Sequence, residues 1–160
     1  MKTVRMPMEA LVQVILLQLE NGQKANLTVT GCSMMPMLRQ YRDSVQLKPI
    51  EGRLLPGDIA LYKRDSGQYV LHRVIRLIPE GYFFCGDNQS ELETVRQDQL
   101  IAVVTGYTKK GKQRSLDTLG YRLYCFGFVK LFWMRKYYIR LRRCLGRLRN
   151  RLLKWRNTNG

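Results

Sequence analysis

Between Leu27 and Lys109 the chain repeats one pattern six times: a short run rich in branched, aliphatic and aromatic residues, then a break of Gly, Pro, Asp or Ser. The runs are LTVTG, SVQLKPI, DIALYKR, YVLHRVIRLI, GYFFCGD and LIAVVTGYTK. Short apolar runs punctuated by turn formers are strand signals, whereas a helix needs a longer segment with a 3.6-residue period. This stretch therefore excludes an all-helical fold and predicts a compact, mainly antiparallel β-domain over residues 25–120.

The two ends read differently. Met8 to Glu20 places Leu11, Val12, Ile15, Leu16 and Leu19 on one helical face, and Asn21-Gly22 supplies a stop, so a short helix is expected within residues 1–24. After Gly120, Met134, Tyr138, Leu141, Leu145, Leu148, Leu152 and Trp155 follow a 4-3-4-3-4-3 spacing that keeps one apolar seam on one side of a helix. Residues 121–160 are thus expected to form a basic amphipathic helical tail.

Charge separates that tail from the rest. The chain carries a formal +16, yet twelve Lys/Arg and no Asp or Glu fall between Tyr121 and Gly160, leaving sixteen basic against twelve acidic residues before it. The first 120 residues have an ordinary globular balance, and the excess belongs to one segment. No run reaches the eighteen apolar residues of a membrane-spanning helix, and the apolar run after the basic start ends without a small-residue cleavage site, so neither an anchor nor an export signal is expected. The four cysteines are scattered without a CxxC pair and His72 is the only histidine, which leaves no zinc spacing or disulfide framework. A reducing, cytoplasmic setting is the expectation.

Three stretches have residues suited to chemistry. In TGCSMMPML, Gly31 permits a close bend before Cys32-Ser33, and Met34, Met35 and Pro36 can wall the turn. The result is either a serine presented at a strand end or a buried loop with an incidental serine. The backbone N–H groups of Cys32 and Ser33 could converge as an oxyanion hole, where one donor contributes roughly 3 to 4 kcal/mol. His72 lies in a strand-like run and suits either a general base, with an ordinary pKa of about 6.5, or a satisfied core position. In FFCGDNQSELE, Asp87, Glu91 and Glu93 follow a glycine turn; an acid there could orient a histidine, or simply be solvated turn chemistry. LLPGDIALY is a structural turn and strand.

In this order the segments resemble the signal peptidase I superfamily, which includes the self-cleaving phage and SOS-type repressors. The matching boxes are Gly31-Cys32-Ser33-Met34-Met35-Pro36, Pro56-Gly57-Asp58-Ile59-Ala60, His72-Arg73-Val74-Ile75 and Gly86-Asp87-Asn88, spanning roughly residues 25 to 108. His72-Arg73-Val74 resembles the branch that uses histidine, as in endoplasmic-reticulum and archaeal types, where most bacterial members carry lysine. The resemblance implies a signal-peptidase-like antiparallel β fold and a serine endopeptidase. Ser33 would be the nucleophile, His72 the base, the Cys32 and Ser33 N–H groups the oxyanion hole, and Met34, Met35 and Pro36 the lining of a pocket for small side chains. No cofactor is implied. Two acids match different parts of the pattern, Asp87 within the Gly-Asp-Asn box and Glu93 at the spacing of a later aspartate, and Asp87 is placed first. The missing spanning helix departs from family members that process exported proteins and points to leader-peptide processing on the cytosolic side.

The basic tail leaves three readings: a solvated helix packing its seam on the domain or on another copy of the chain, an amphipathic helix on the inner face of an anionic membrane, or a nucleic-acid contact. In the second, Phe126, Phe128, Phe132, Trp133 and Trp155 would enter the headgroup region. The third lacks any DNA-reading motif, since about 25 residues before the β-region cannot form a helix-turn-helix unit. The rival to the peptidase is a non-catalytic β-scaffold whose tail binds membrane, RNA or a protein partner.

Overall fold

The computed structural model describes residues 7–132 together with Met134, Tyr137, Tyr138, Leu141 and Leu145. The leading helix, α1 (Met8–Glu20), buries Val12, Ile15 and Leu19, the face its spacing predicts. Eight strands follow: β1 (Ala25–Thr28), β2 (Ser44–Lys48), β3 (Ile59–Lys63), β4 (Tyr69–Ile78), β5 (Gly81–Cys85), β6 (Glu93–Arg96), β7 (Leu100–Lys109) and β8 (Lys112–Ser115). A second helix, α2 (Leu119–Lys130), comes after them, its first turn capped by the Thr118 hydroxyl accepting from the Tyr121 N–H at 3.3 Å.

The strands form one curled antiparallel sheet in the order β1-β2-β7-β3-β4-β5-β6, with β8 paired to β7. Register shifts at Gln46/Leu47, Leu61/Tyr62 and Val74/Arg76 bend it. The six expected strands all form. The two unexpected ones are short and polar: β6 is ETVR, and β8 is KQRS with every residue exposed. Backbone pairing through the tight Lys110-Gly111 turn, both residues at positive φ, holds β8 without any apolar signal.

Because the sheet curls, both of its faces are covered. Along β3, Ile59 and Leu61 join a cluster with α1, β1 and β2, while Ala60 and Tyr62 join a second cluster with Val74, Tyr82, Phe84 and Val95. This is why β3 reads as an unbroken apolar run and not as an alternation. α1 supplies three residues to the first cluster, and Tyr121 and Tyr124 of α2 pack against it. The three expected segments, 1–24, 25–120 and 121–160, thus share one core among the described residues.

The apolar residues of the tail fall into two groups. Phe132 is buried with Ile75 and Cys85 and so is not available to a headgroup region, while the half-buried Phe128 stacks on Tyr124 with ring centroids 4.3 Å apart. Phe126 is exposed, and so are the seam residues Met134, Tyr138, Leu141 and Leu145, which do not pack on the domain. Trp133, Leu148, Leu152 and Trp155 lie outside the described residues. No helix among the described residues is long and apolar enough to cross a membrane.

Candidate functional site

Ser33 and His72 line one cavity of about 420 Å³. Ser33 stands in the β1–β2 loop, and that loop is pinned from both sides. Below it, the fully buried Asp43 carboxylate accepts the Arg39 N–H at 2.9 Å and the Lys110 N–H at 3.2 Å, and pairs with Arg42 at 2.7 Å. The Arg42 hydrogen bond, helped by the two backbone donors, pulls the Asp43 pKa down to about 2 against the cost of burial. Above it, the Ser33 carbonyl accepts the Asn88 N–H at 2.7 Å, and the Asn88 amide reaches the Cys32 carbonyl at 3.4 Å. The Gly31-to-Pro36 and Gly86-Asp87-Asn88 stretches, far apart in sequence, are therefore bonded to each other.

His72 comes from the centre of the sheet on β4 and is buried, paired in register with Ala60. Its Nδ1 lies 3.1 Å from the Tyr62 hydroxyl, which donates to Glu93 Oε2 at 2.9 Å. Glu93 Oε1 is 3.6 Å from the same ring nitrogen, and Arg64 grips both carboxylate oxygens, its Nε at 2.8 Å. A phenol has a single proton. With that proton committed to Glu93, the Tyr62 oxygen accepts from His72 Nδ1–H, which assigns the free lone pair to Nε2.

Nε2 faces the serine loop: it and the Ser33 carbonyl oxygen lie 3.0 and 2.8 Å from the point that a Cβ on Gly86 would occupy. Only glycine fits where these groups meet. Among the described residues no hydrogen bond joins Ser33 Oγ to Nε2, and neither the Cys32 nor the Ser33 N–H has a protein acceptor.

Burial, more than the charges around it, pushes His72 down to about 4; Glu93 and Asp87 oppose this, while Arg64 adds to it. The imidazole is neutral throughout the neutral range. Burial works to raise Glu93, but the hydrogen bonds from Arg64 and Tyr62 outweigh it and hold the carboxyl below its ordinary value. Tyr62 is pushed well up, first by burial and then by the neighbouring carboxylate, and stays a phenol.

The expected order of the acids reverses. Asp87, placed first by its position in the Gly-Asp-Asn box, is gripped by Arg73 at 2.9 and 2.7 Å and receives the Tyr124 hydroxyl at 3.1 Å. The alternation of β4 explains this, since His72 and Arg73 point to opposite faces. Arg73 also donates to the Gly57 carbonyl, the Tyr121 hydroxyl and Cys125, and lies over the rings of Tyr121 and Tyr124. Glu93 is the acid beside His72. Glu91 is exposed.

The expected substrate wall also changes in part. Met34 is buried and lines the cavity, but Met35 and Pro36 do not; Leu27, Val29, Leu61 and Leu71 are among its other apolar lining residues, with Thr28, Gln68 and Asn88 at polar positions. Tyr62 and Arg64 went unnoticed in the sequence, although a signal was present. The Asp65-Ser66-Gly67 turn fixes the β3–β4 register, which sets Ala60 opposite His72 and Tyr62 on the same face, diagonal to it.

Fold and site together define a curled antiparallel β-domain, braced by two helices, with a serine and a neutral imidazole on one cavity wall. Compared with protein-family models, curated proteins and solved structures, the chain matches none.

Proposed function

We propose that the protein is a serine endopeptidase of the Ser-His type, acting at the cavity shared by Ser33 and His72. One observation carries this reading: the Tyr62–Glu93 relay occupies His72 Nδ1 and leaves Nε2 facing the serine loop. A base needs that unprotonated nitrogen, and an acid behind it stabilises the imidazolium that forms.

In this reaction Ser33 Oγ adds to a peptide carbonyl while its proton passes to Nε2. The tetrahedral oxyanion takes hydrogen bonds from the Cys32 and Ser33 N–H groups. The C–N bond breaks as Nε2 returns the proton to the leaving amine, and a water, deprotonated by His72, frees the acyl group from Ser33. Glu93 orients and compensates the imidazolium; Asp87 and Arg73 hold the Asn88 turn on which Ser33 rests. The lining of Leu27, Val29, Met34 and Leu71 suits an apolar segment of peptide, and the resemblance to signal peptidases adds a small residue before the scissile bond and a leader-like substrate. Incubating the full chain with a panel of peptides containing Ala-x-Ala sites tests this. Cleavage that vanishes in both Ser33→Ala and His72→Ala, with the folded far-UV spectrum kept, is expected; cleavage that survives either substitution, or an inert wild type, returns the chain to the scaffold reading.

A further inference from the structure

The inner side of α2 is committed to the domain through Tyr121, Tyr124 and Phe128 around Arg73. Its outer side exposes Leu119, Leu123 and Phe126, spaced by four and three residues along one helical face. α2 ends at Lys130, and past the exposed Leu131 a second set follows: Met134, Tyr137, Tyr138, Leu141 and Leu145 are helical, spaced to fall on one side of a helix, and each is more than half exposed. Nothing in the described chain covers this stripe. The same forty residues from Tyr121 contain twelve Lys/Arg and no acid.

We propose that this face docks on an anionic lipid surface, lying in its plane with the apolar stripe in the headgroup region and the Lys/Arg side chains on lipid phosphates. Charge selects the occupant. A second copy of the chain would bring another twelve cations against the first with no acidic residue in the segment to offset them. A nucleic acid would satisfy the cations but leave a row of leucines, methionine and phenylalanine in water. An anionic bilayer meets both needs at once, apolar interior under the stripe and phosphate beside the charges. The proposal stands apart from the peptidase reading and does not require it.

The test uses the full chain and sedimentation with vesicles of phosphatidylcholine alone or with phosphatidylglycerol. Binding is expected to the phosphatidylglycerol vesicles only, falling on the order of tenfold or more as salt shortens the screening length from about 10 Å to about 3 Å. Leu141→Ser with Leu145→Ser keeps every charge and touches only exposed positions, so loss of vesicle binding with an unchanged melting profile supports the insertion of the stripe. Equal binding to both vesicles, full binding by the double variant, or single-stranded RNA bound by a chain that ignores vesicles would each overturn it. So would a dimer that the double variant dissolves while vesicle binding stays the same.

Discussion

His72 carries a pH signature that any base-like role must share. Its value in the folded chain, about 4, lies below the 6.5 of the unfolded chain because burial disfavours the imidazolium. As pH falls from 6.5 the unfolded chain takes up that proton first, so stability is full above 6.5 and declines on the way to 4, by about 3 kcal/mol at most. Urea unfolding at pH 7.5 and 4.5 should show this loss, and His72→Asn should flatten it over the same interval. The two acids separate by a second measurement. Glu93→Gln should lower kcat by about a hundredfold or more while leaving the fold intact, since the Glu93 side chain is 27% exposed and bonds Tyr62 and Arg64 beside the cavity. Asp87→Asn should instead cost about 3 to 5 kcal/mol of stability, because it leaves the wholly buried Arg73 guanidinium without its compensating carboxylate.

At the level of elements, the close approach of two loops at Gly86 constrains the candidate site. A Cβ there would stand 2.8 Å from the Ser33 carbonyl, 2.9 Å from Gln89 Oε1 and 3.0 Å from His72 Nε2, so Gly86→Ala must push the serine loop off the β5–β6 turn. Stability should fall by about 1 to 3 kcal/mol and turnover by more than stability explains; unchanged kinetics in a folded variant would contradict the arrangement. The strands that position these groups were legible where they carry apolar runs; β6, with Val95 as its one buried residue, and the wholly exposed β8 were not, because short strands held by backbone pairing need no apolar run. Ser33, His72 and Glu93 were legible as residue types at family-like spacing. Which acid lies beside the histidine was not, since that depends on the face of β4 from which each neighbour is reached, a property of register and not of motif. Tyr62 reads as one more apolar residue of a buried strand until the register set by the Asp65-Ser66-Gly67 turn is worked out, which puts it diagonal to His72.

For the whole molecule, the catalytic-looking face and the basic segment are joined through one buried cation. Arg73 follows His72 in sequence, grips Asp87 beside the Asn88 turn, and is closed in by Tyr121 and Cys125 of α2. The boundary drawn from composition at residue 120 therefore falls inside a packed unit: composition reports where charge begins, while packing reports where the core ends. A chain ending at Thr118 should unfold at lower urea than the full chain, with a smaller m-value as less surface is buried, and equal midpoints would show that α2 contributes nothing. The proposed peptidase activity requires that His72 activate Ser33. The most direct measurement is labelling by a serine-directed phosphonate probe, read by peptide mass mapping at pH 7.5. A single adduct on Ser33 is expected, absent in His72→Ala while that variant remains folded; a wild-type chain that takes no label at Ser33, or one labelled equally without His72, would rule the activation out.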